Sequence, residues 1–404
     1  MNKAKRSMWG LRRRLLAVLI LVGVAFIVGV IGLGVHSDSK KSTLNSIINV
    51  TVPTSTRWLA VKVMDDQNMA APQNVWLVKL KPEQLTPQHL MSSSQDLKLV
   101  DCWQLPDTLC VTEEGRVVHR WEFTPTAMKS TEWVESADSD VSVFALDAKR
   151  IFVETGKWVG SLHTIETIYS QNRGDSSTEI LLADIAQEGC GQGPKLSPDG
   201  THLAALCFQP DWTTPSPVLN QHIIVVGVNE LQKRTFSIPA NYFPGLTIFT
   251  AVPQFPYPDF EWAPDGTEIA FVIASPLREQ LSDRGSDWGG VYSITLTDGV
   301  LHKWIEISNS DYYLLTWSPD KKFIAYPHLG DGALYVISRD GERQQIGSFD
   351  SVDLLSWSPD GAYIVVVGSH ASNPQQLWVF SVSDSTWHEV ELPGKVTEIA
   401  WGRP

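Results

Sequence analysis

One ten-residue stretch of this chain returns again and again, and it limits the possible folds more than any other feature. Trp317-Ser-Pro-Asp-Lys-Lys-Phe-Ile-Ala-Tyr326 is echoed by Trp357-Ser-Pro-Asp-Gly-Ala-Tyr-Ile-Val-Val366, Trp262-Ala-Pro-Asp-Gly-Thr-Glu-Ile-Ala-Phe271 and Leu196-Ser-Pro-Asp-Gly-Thr-His-Leu-Ala-Ala205. Each copy reads as a hairpin. An apolar run ends at Trp or Leu, Pro sets φ for the first corner, Asp bonds its own backbone, and Gly supplies the left-handed position. A β-branched and aromatic run leads away. The four prolines stand 66, 55 and 40 residues apart, so the longer intervals carry loop insertions in an otherwise regular repeat. Repeats of roughly 40–50 residues point to sheets arranged around an axis, a β-propeller.

A second signature follows each hairpin: Gly290-Val-Tyr-Ser-Ile294, Ala333-Leu-Tyr-Val-Ile337 and Gln376-Leu-Trp-Val-Phe380. It reads as the third strand of a four-stranded blade. Together the two signatures resemble the WD40-like (PD40) repeats of the TolB-like β-propeller family. The resemblance is strong over about 190–404 and weak over 50–190, where the Pro-Asp-Gly turn is missing. It implies an all-β propeller serving as an interaction platform.

The N-terminal end of the repeat region starts out of phase. Trp58-Leu-Ala-Val-Lys-Val63 looks like a second strand with no first strand before it, and Asn74-Val-Trp-Leu-Val78 matches the third-strand signature. The missing strand is Val396-Thr-Glu-Ile-Ala-Trp401, which aligns on Trp with Val352-Asp-Leu-Leu-Ser-Trp357. One blade built from both termini closes such a ring and leaves few free edges. Two cryptic blades fit the runs 98–123 and 141–183, and four overt ones surround the hairpins at 198, 264, 319 and 359. The expected count is seven, with six or eight as alternatives if the cryptic region divides differently.

Leu15–Val35 is an unbroken run of 21 apolar or Gly residues, long enough to cross a bilayer. Six Lys/Arg precede it and Lys40 and Lys41 follow, so the positive-inside rule places residues 1–14 in the cytoplasm. The expected organisation is a basic tail at 1–14, a transmembrane helix at 15–35, a stalk at 36–55 and an extracytoplasmic propeller at 56–404. A cleaved signal peptide is the alternative, but its apolar region is usually only about 7–15 residues. Residues 1–41 hold eight Lys/Arg and one acid, +7, which leaves −20 on the rest of a chain whose total is −13. So acidic a body repels phosphate backbones, which argues against nucleic acid as a partner.

Recognisable chemistry is sparse. No Gly-x-Ser-x-Gly elbow or P-loop occurs, and the ten histidines are scattered singly without His-x-x-x-His or Cys-x-x-Cys. The sequence therefore names no catalytic residue, metal or cofactor. Asp199, Asp265, Asp320 and Asp360 recur at one turn position, which favours backbone capping over calcium binding. Trp262, Trp317, Trp357 and Trp401 recur likewise and are expected to pack between blades rather than form a carbohydrate platform.

Binding chemistry concentrates in three long loops, 209–219, 239–258 and 274–289. Strand order places them as neighbours on the face opposite the Pro-Asp turns. They carry Trp212, Tyr242, Phe243, Phe255, Tyr257, Arg278, Arg284 and Trp288. Aromatics and Arg dominate interface hot spots, although the same aromatics would also serve to pack the loops onto the blades. The function expected is an anchored module that binds a protein, peptide or envelope component. The alternatives are a hydrolase or lyase working in the central channel, and a structural domain of an envelope sensor or secretion assembly.

The four cysteines suggest two local disulfides. If the turn Ser197–Gly200 closes a two-residue hairpin, opposite residues sum to 397, and Cys190 and Cys207 lie directly across from each other. Cys102 and Cys110 flank the Leu-Pro-Asp corner in the same way with a sum of 212. An extracytoplasmic body would keep such bonds oxidised.

Overall fold

The repeated turn explains how each blade begins. Ser197, Ser318 and Ser358 are fully buried at its first corner. Each hydroxyl donates to the Asp two residues on, at 2.6, 2.7 and 2.8 Å, and accepts the backbone N–H of the residue that opens the second strand, at 2.8–2.9 Å. The Asp accepts a further backbone N–H two residues beyond itself, as in Thr201 to Asp199 at 3.0 Å. Every polar atom at the buried corner thus has a partner, which is what makes burying a Ser there affordable in energetic terms.

A computed structural model describes residues 57–401 except for connecting segments, of which the longest are 184–193, 239–259 and 274–289. The chain divides into two compact units. One gathers Met1–Thr51 with Ser383–Ser385, and its first 51 residues lie outside the described set, as does the membrane segment expected at Leu15–Val35. Among the described residues no helix is long and apolar enough to cross a membrane. The other unit, Val52–Val382 with Thr386–Pro404, is all-β and builds seven blades.

The first blade is shared. Strand β1 (Arg57–Met64) pairs with β2 (Gln73–Lys81), which pairs with β3 (Gln84–Ser93), and the C-terminal strand β28 (Lys395–Trp401) takes the innermost place beside β1. Leu59 faces Trp401 and Lys62 faces Glu398, with a bulge after Lys62. The second blade is β4 (Leu97–Cys102), β5 (Thr108–Glu113), β6 (Val117–Phe123) and β7 (Met128–Val134). The third is β8 (Val141–Leu146), β9 (Arg150–Val159), β10 (Leu162–Asn172) and β11 (Thr178–Ala183). These two join into one eight-stranded sheet, because Asp101 and Cys102 of β4 pair in parallel with Ala145 and Leu146 of β8.

Four regular blades follow. They comprise β12 (Lys195–Leu196) to β15 (Lys233–Ser237), β16 (Phe260–Trp262) to β19 (Leu301–Glu306), β20 (Thr316–Trp317) to β23 (Arg343–Ser348), and β24 (Ser351–Trp357) to β27 (Thr386–Val390). Second and third strands are buried on both faces, as in β25 (Tyr363–Ser369), which accounts for their continuous apolar runs. The core lies between adjacent sheets. Leu206 and Val225 of the fourth blade meet Trp262 and Phe271 of the fifth, and Val63 and Val78 of the first meet Val365 and Val379 of the seventh.

The recurring Trp side chains link neighbouring blades. Trp262 donates its indole N–H to Lys195 O at 2.9 Å, Trp317 to Glu261 O at 3.2 Å and Trp401 to Ser356 Oγ at 3.0 Å. In each case the acceptor is the residue just before the corresponding Trp or Leu of the preceding blade. At the remaining junction Trp357 uses its backbone N–H, bonding Thr316 Oγ1 at 3.1 Å.

The hairpin register corrects the arithmetic for the cysteines. Lys195 faces Ala204 and Leu196 faces Leu203, a sum of 399 and not 397. Ser197 N–H bonds His202 O, so four residues, Pro198 to Thr201, make up the loop. In the second blade Val100, not Cys102, faces Cys110. Cys102 has by then left β5 for β8. The direct opposition expected for Cys102 and Cys110 is therefore off by two residues. The ladder on which the sum for Cys190 and Cys207 rested is displaced by two as well, because the left-handed Gly200 is followed by one more loop residue before pairing starts. Cys190 itself lies outside the described residues.

Candidate functional site

The expected loop surface, with Trp212, Tyr242, Phe243, Phe255, Tyr257, Arg278, Arg284 and Trp288, lies outside the described residues. Within the described ones, the inner strands of four blades surround a cavity of about 410 Å³. Its walls are Leu99 and Val100 of β4, Thr108 and Leu109 of β5, and Phe144 of β8. Ser356 of β24, Pro359 of the following turn, and Ile399, Ala400 and Trp401 of β28 complete them.

Blade geometry explains why these side chains converge. β28, β4, β8 and β24 are the first strands of their blades, so their last residues reach the axis at the same end. Val100 and Leu109 are anchored in the inter-blade core, and Leu99, Phe144, Ile399 and Trp401 are only partly covered. The lining is aliphatic and aromatic with two hydroxyls, Thr108 and Ser356, and the Ser356 oxygen already accepts the Trp401 indole N–H. Such a surface favours an apolar group by desolvation and orients it through few polar atoms. Sequence inspection missed this site because two of its walls come from the cryptic blades. The usable signal was the closure itself, which brings 399–401 beside the start of the second blade.

Two groups of titratable side chains lie elsewhere. At the far end of β5, Glu113 accepts from the Ser93 hydroxyl and from His119 Nε2 at 3.2 Å, and His119 stacks on Trp121 with centroids 5.9 Å apart. The Ser93 hydroxyl holds the Glu113 carboxyl below the usual carboxylate range, against burial and with help from His119. Between the fifth and sixth blades, buried Glu268 accepts from Arg339 at 2.9 and 3.0 Å and from Ser293 at 3.0 Å. Arg339 also covers the Trp304 ring at 4.9 Å. Both groups tie one blade to the next or one strand to its neighbour. No group of three or more His, Cys, Asp or Glu able to hold a metal ion occurs among the described residues.

The recurring Asp side chains sit in their turns. Asp199, Asp265 and Asp320 titrate below the usual range. Burial pushes each up, but hydroxyl, ammonium and backbone donors outweigh it: Ser197 and Thr201 for Asp199, Lys321 and Thr267 for Asp265, Ser318 and Lys322 for Asp320.

No family model matches the sequence, and no curated protein matches it. Solved structures do. TolB from Acinetobacter baumannii is 16% identical with a TM-score of 0.47, the match covering 90% of this chain and 71% of that one. An oligogalacturonate lyase in complex with manganese is 14% identical with a TM-score of 0.49, covering 84% and 86%. Puromycin hydrolase is 14% identical with a TM-score of 0.51, covering 80% of this chain and 50% of that one, so the chain spans half of that protein's length. The names differ in function, and what the likeness to the hydrolase carries is the fold alone. The chain is a seven-bladed β-propeller.

Proposed function

We propose that the protein is a membrane-anchored, extracytoplasmic binding module that holds a protein, peptide or envelope component at the mouth of its propeller. The observation that carries this is the cavity of about 410 Å³, walled by Leu99, Val100, Leu109, Phe144, Ile399 and Trp401. It is large enough for a bulky apolar side chain and rests on a closed, many-stranded scaffold, where a site loses little entropy on binding. The anchor at Leu15–Val35 supports placement at the membrane, and the flanking charges support an outward-facing propeller. We also propose that Cys102–Cys110 and Cys190–Cys207 are disulfides. In support, neither Cys110 nor Cys207 is a free thiol.

The test is capture from envelope extract by the full-length protein, compared with an Ala400→Trp variant that fills the cavity. A partner held through the cavity is lost by the variant while melting is unchanged. Equal capture by both proteins would move the site elsewhere.

A further inference from the structure

The cavity is not built from one continuous sheet. Ile399, Ala400 and Trp401 come from β28, which pairs only with β1, and Leu99 and Val100 come from β4, which pairs with β5 and β8. No ladder fixes the distance between these two walls. The Glu398 side chain spans it directly beside the cavity lining. Glu398 Oε2 accepts the Leu99 backbone N–H at 2.7 Å, and Glu398 Oε1 accepts from Lys62 Nζ at 2.9 Å. Lys62 is 5% exposed and reaches Asp96 at 3.5 Å. Asp96 in turn accepts from Gln73, whose own carbonyl accepts the Leu97 N–H at 2.9 Å.

The fold does not require these charges. In the seventh blade, the pair three residues before the Trp is Leu354 facing Val367. The same step in the shared blade is Glu398 facing Lys62. An apolar pair that costs nothing to bury has been replaced by an ion pair that does. Its return is the bond to Leu99, which an apolar side chain cannot make.

We infer that Glu398 is a positioning residue for the cavity, coupling closure of the propeller by the C-terminal strand to ligand binding. The inference rests on the cavity being the binding site. Because occupied walls must be correctly spaced, ligand binding and seating of β28 favour each other by linkage.

The test uses full-length protein in lipid nanodiscs with N-acetyltryptophanamide, a soluble mimic of an apolar side chain, as probe. Binding is read by saturation-transfer NMR, and strand seating by hydrogen exchange over 395–401 and at the Leu99 amide. Glu398→Ala is expected to weaken probe binding about tenfold or more and to speed exchange at Leu99. Glu398→Gln, which keeps an acceptor for Leu99, falls in between. Thr397→Val is the control on the same strand and leaves both readouts unchanged, since the Thr397 hydroxyl is buried without a partner. Bound probe slows exchange over 395–401 in wild type but not in Glu398→Ala. Unchanged probe affinity in Glu398→Ala, with binding lost in Ala400→Trp, overturns the coupling. Binding that survives Ala400→Trp overturns it by a different route, because the cavity itself is then not the site.

Discussion

Lys321 occupies a backbone conformation that suits Gly. Its φ is 61°, where Gly200, Gly266 and Gly361 have 68°, 71° and 76° at the same corner of their turns. A side chain there costs roughly 1–2 kcal/mol, and Lys321 has partial compensation in its bonds to Asp265 and Thr267 of the preceding blade's turn. Gly361→Ala is expected to lower stability by about 1 kcal/mol in denaturant titration. Lys321→Gly is expected to change it by less than about 0.5 kcal/mol, strain relief offsetting the lost ion pair. The turn carboxylates set the acid limit. Their folded-state pKa values are depressed, so their contribution is complete above the unfolded value of about 3.9 and drains as pH falls through the folded values. Asp199→Asn should therefore be less stable than wild type at neutral pH and converge with it as pH falls below the depressed folded value, as equilibrium unfolding across pH would show. The Asp roles were legible because four copies share one position. The Glu113–His119 bond was not, since it joins diagonal neighbours across β5 and β6 whose register no repeat marks.

At the level of strands, the closure was legible and the register was not. Phase alone placed 396–401 beside 58–63, because Trp401 aligns with Trp357 and the first blade lacked an inner strand. The number of residues inside a turn leaves no comparable mark, as the cysteine sums show. Deleting Val396–Pro404 removes a fully buried Val, the partly buried Ile399 and Trp401, and all of the β28 ladder on β1 except the pair Met64–Lys395. The loss should be at least about 3 kcal/mol, and a truncated protein melting with wild type would contradict the shared blade. For the cysteines, peptide mapping of the non-reduced protein should recover 102–110 and 190–207 as linked pairs. A 102–190 link, or four free thiols, would refute the pairing. Trp212→Ala or Trp288→Ala should weaken a partner that uses the long loops and leave stability within about 1 kcal/mol. A larger loss would mark them as packing residues.

On the proposed topology, the propeller lies outside a membrane that the N-terminal segment crosses. Protease added to intact cells should digest the propeller and spare the N-terminal tail, and a protected propeller would reverse the orientation. One further property of the assembly comes from the parallel pairing of Asp101 and Cys102 with Ala145 and Leu146. Mechanically it is a weld: two of the seven wedges are fused along the axis and cannot slide past each other without breaking backbone bonds. The compliance of the closed circle must then be borne by the unwelded seams, and the seam bridged by Glu398, between the C-terminal strand and the welded pair, is where the cavity lies. An occupant of the cavity would therefore act on an unwelded joint beside the weld.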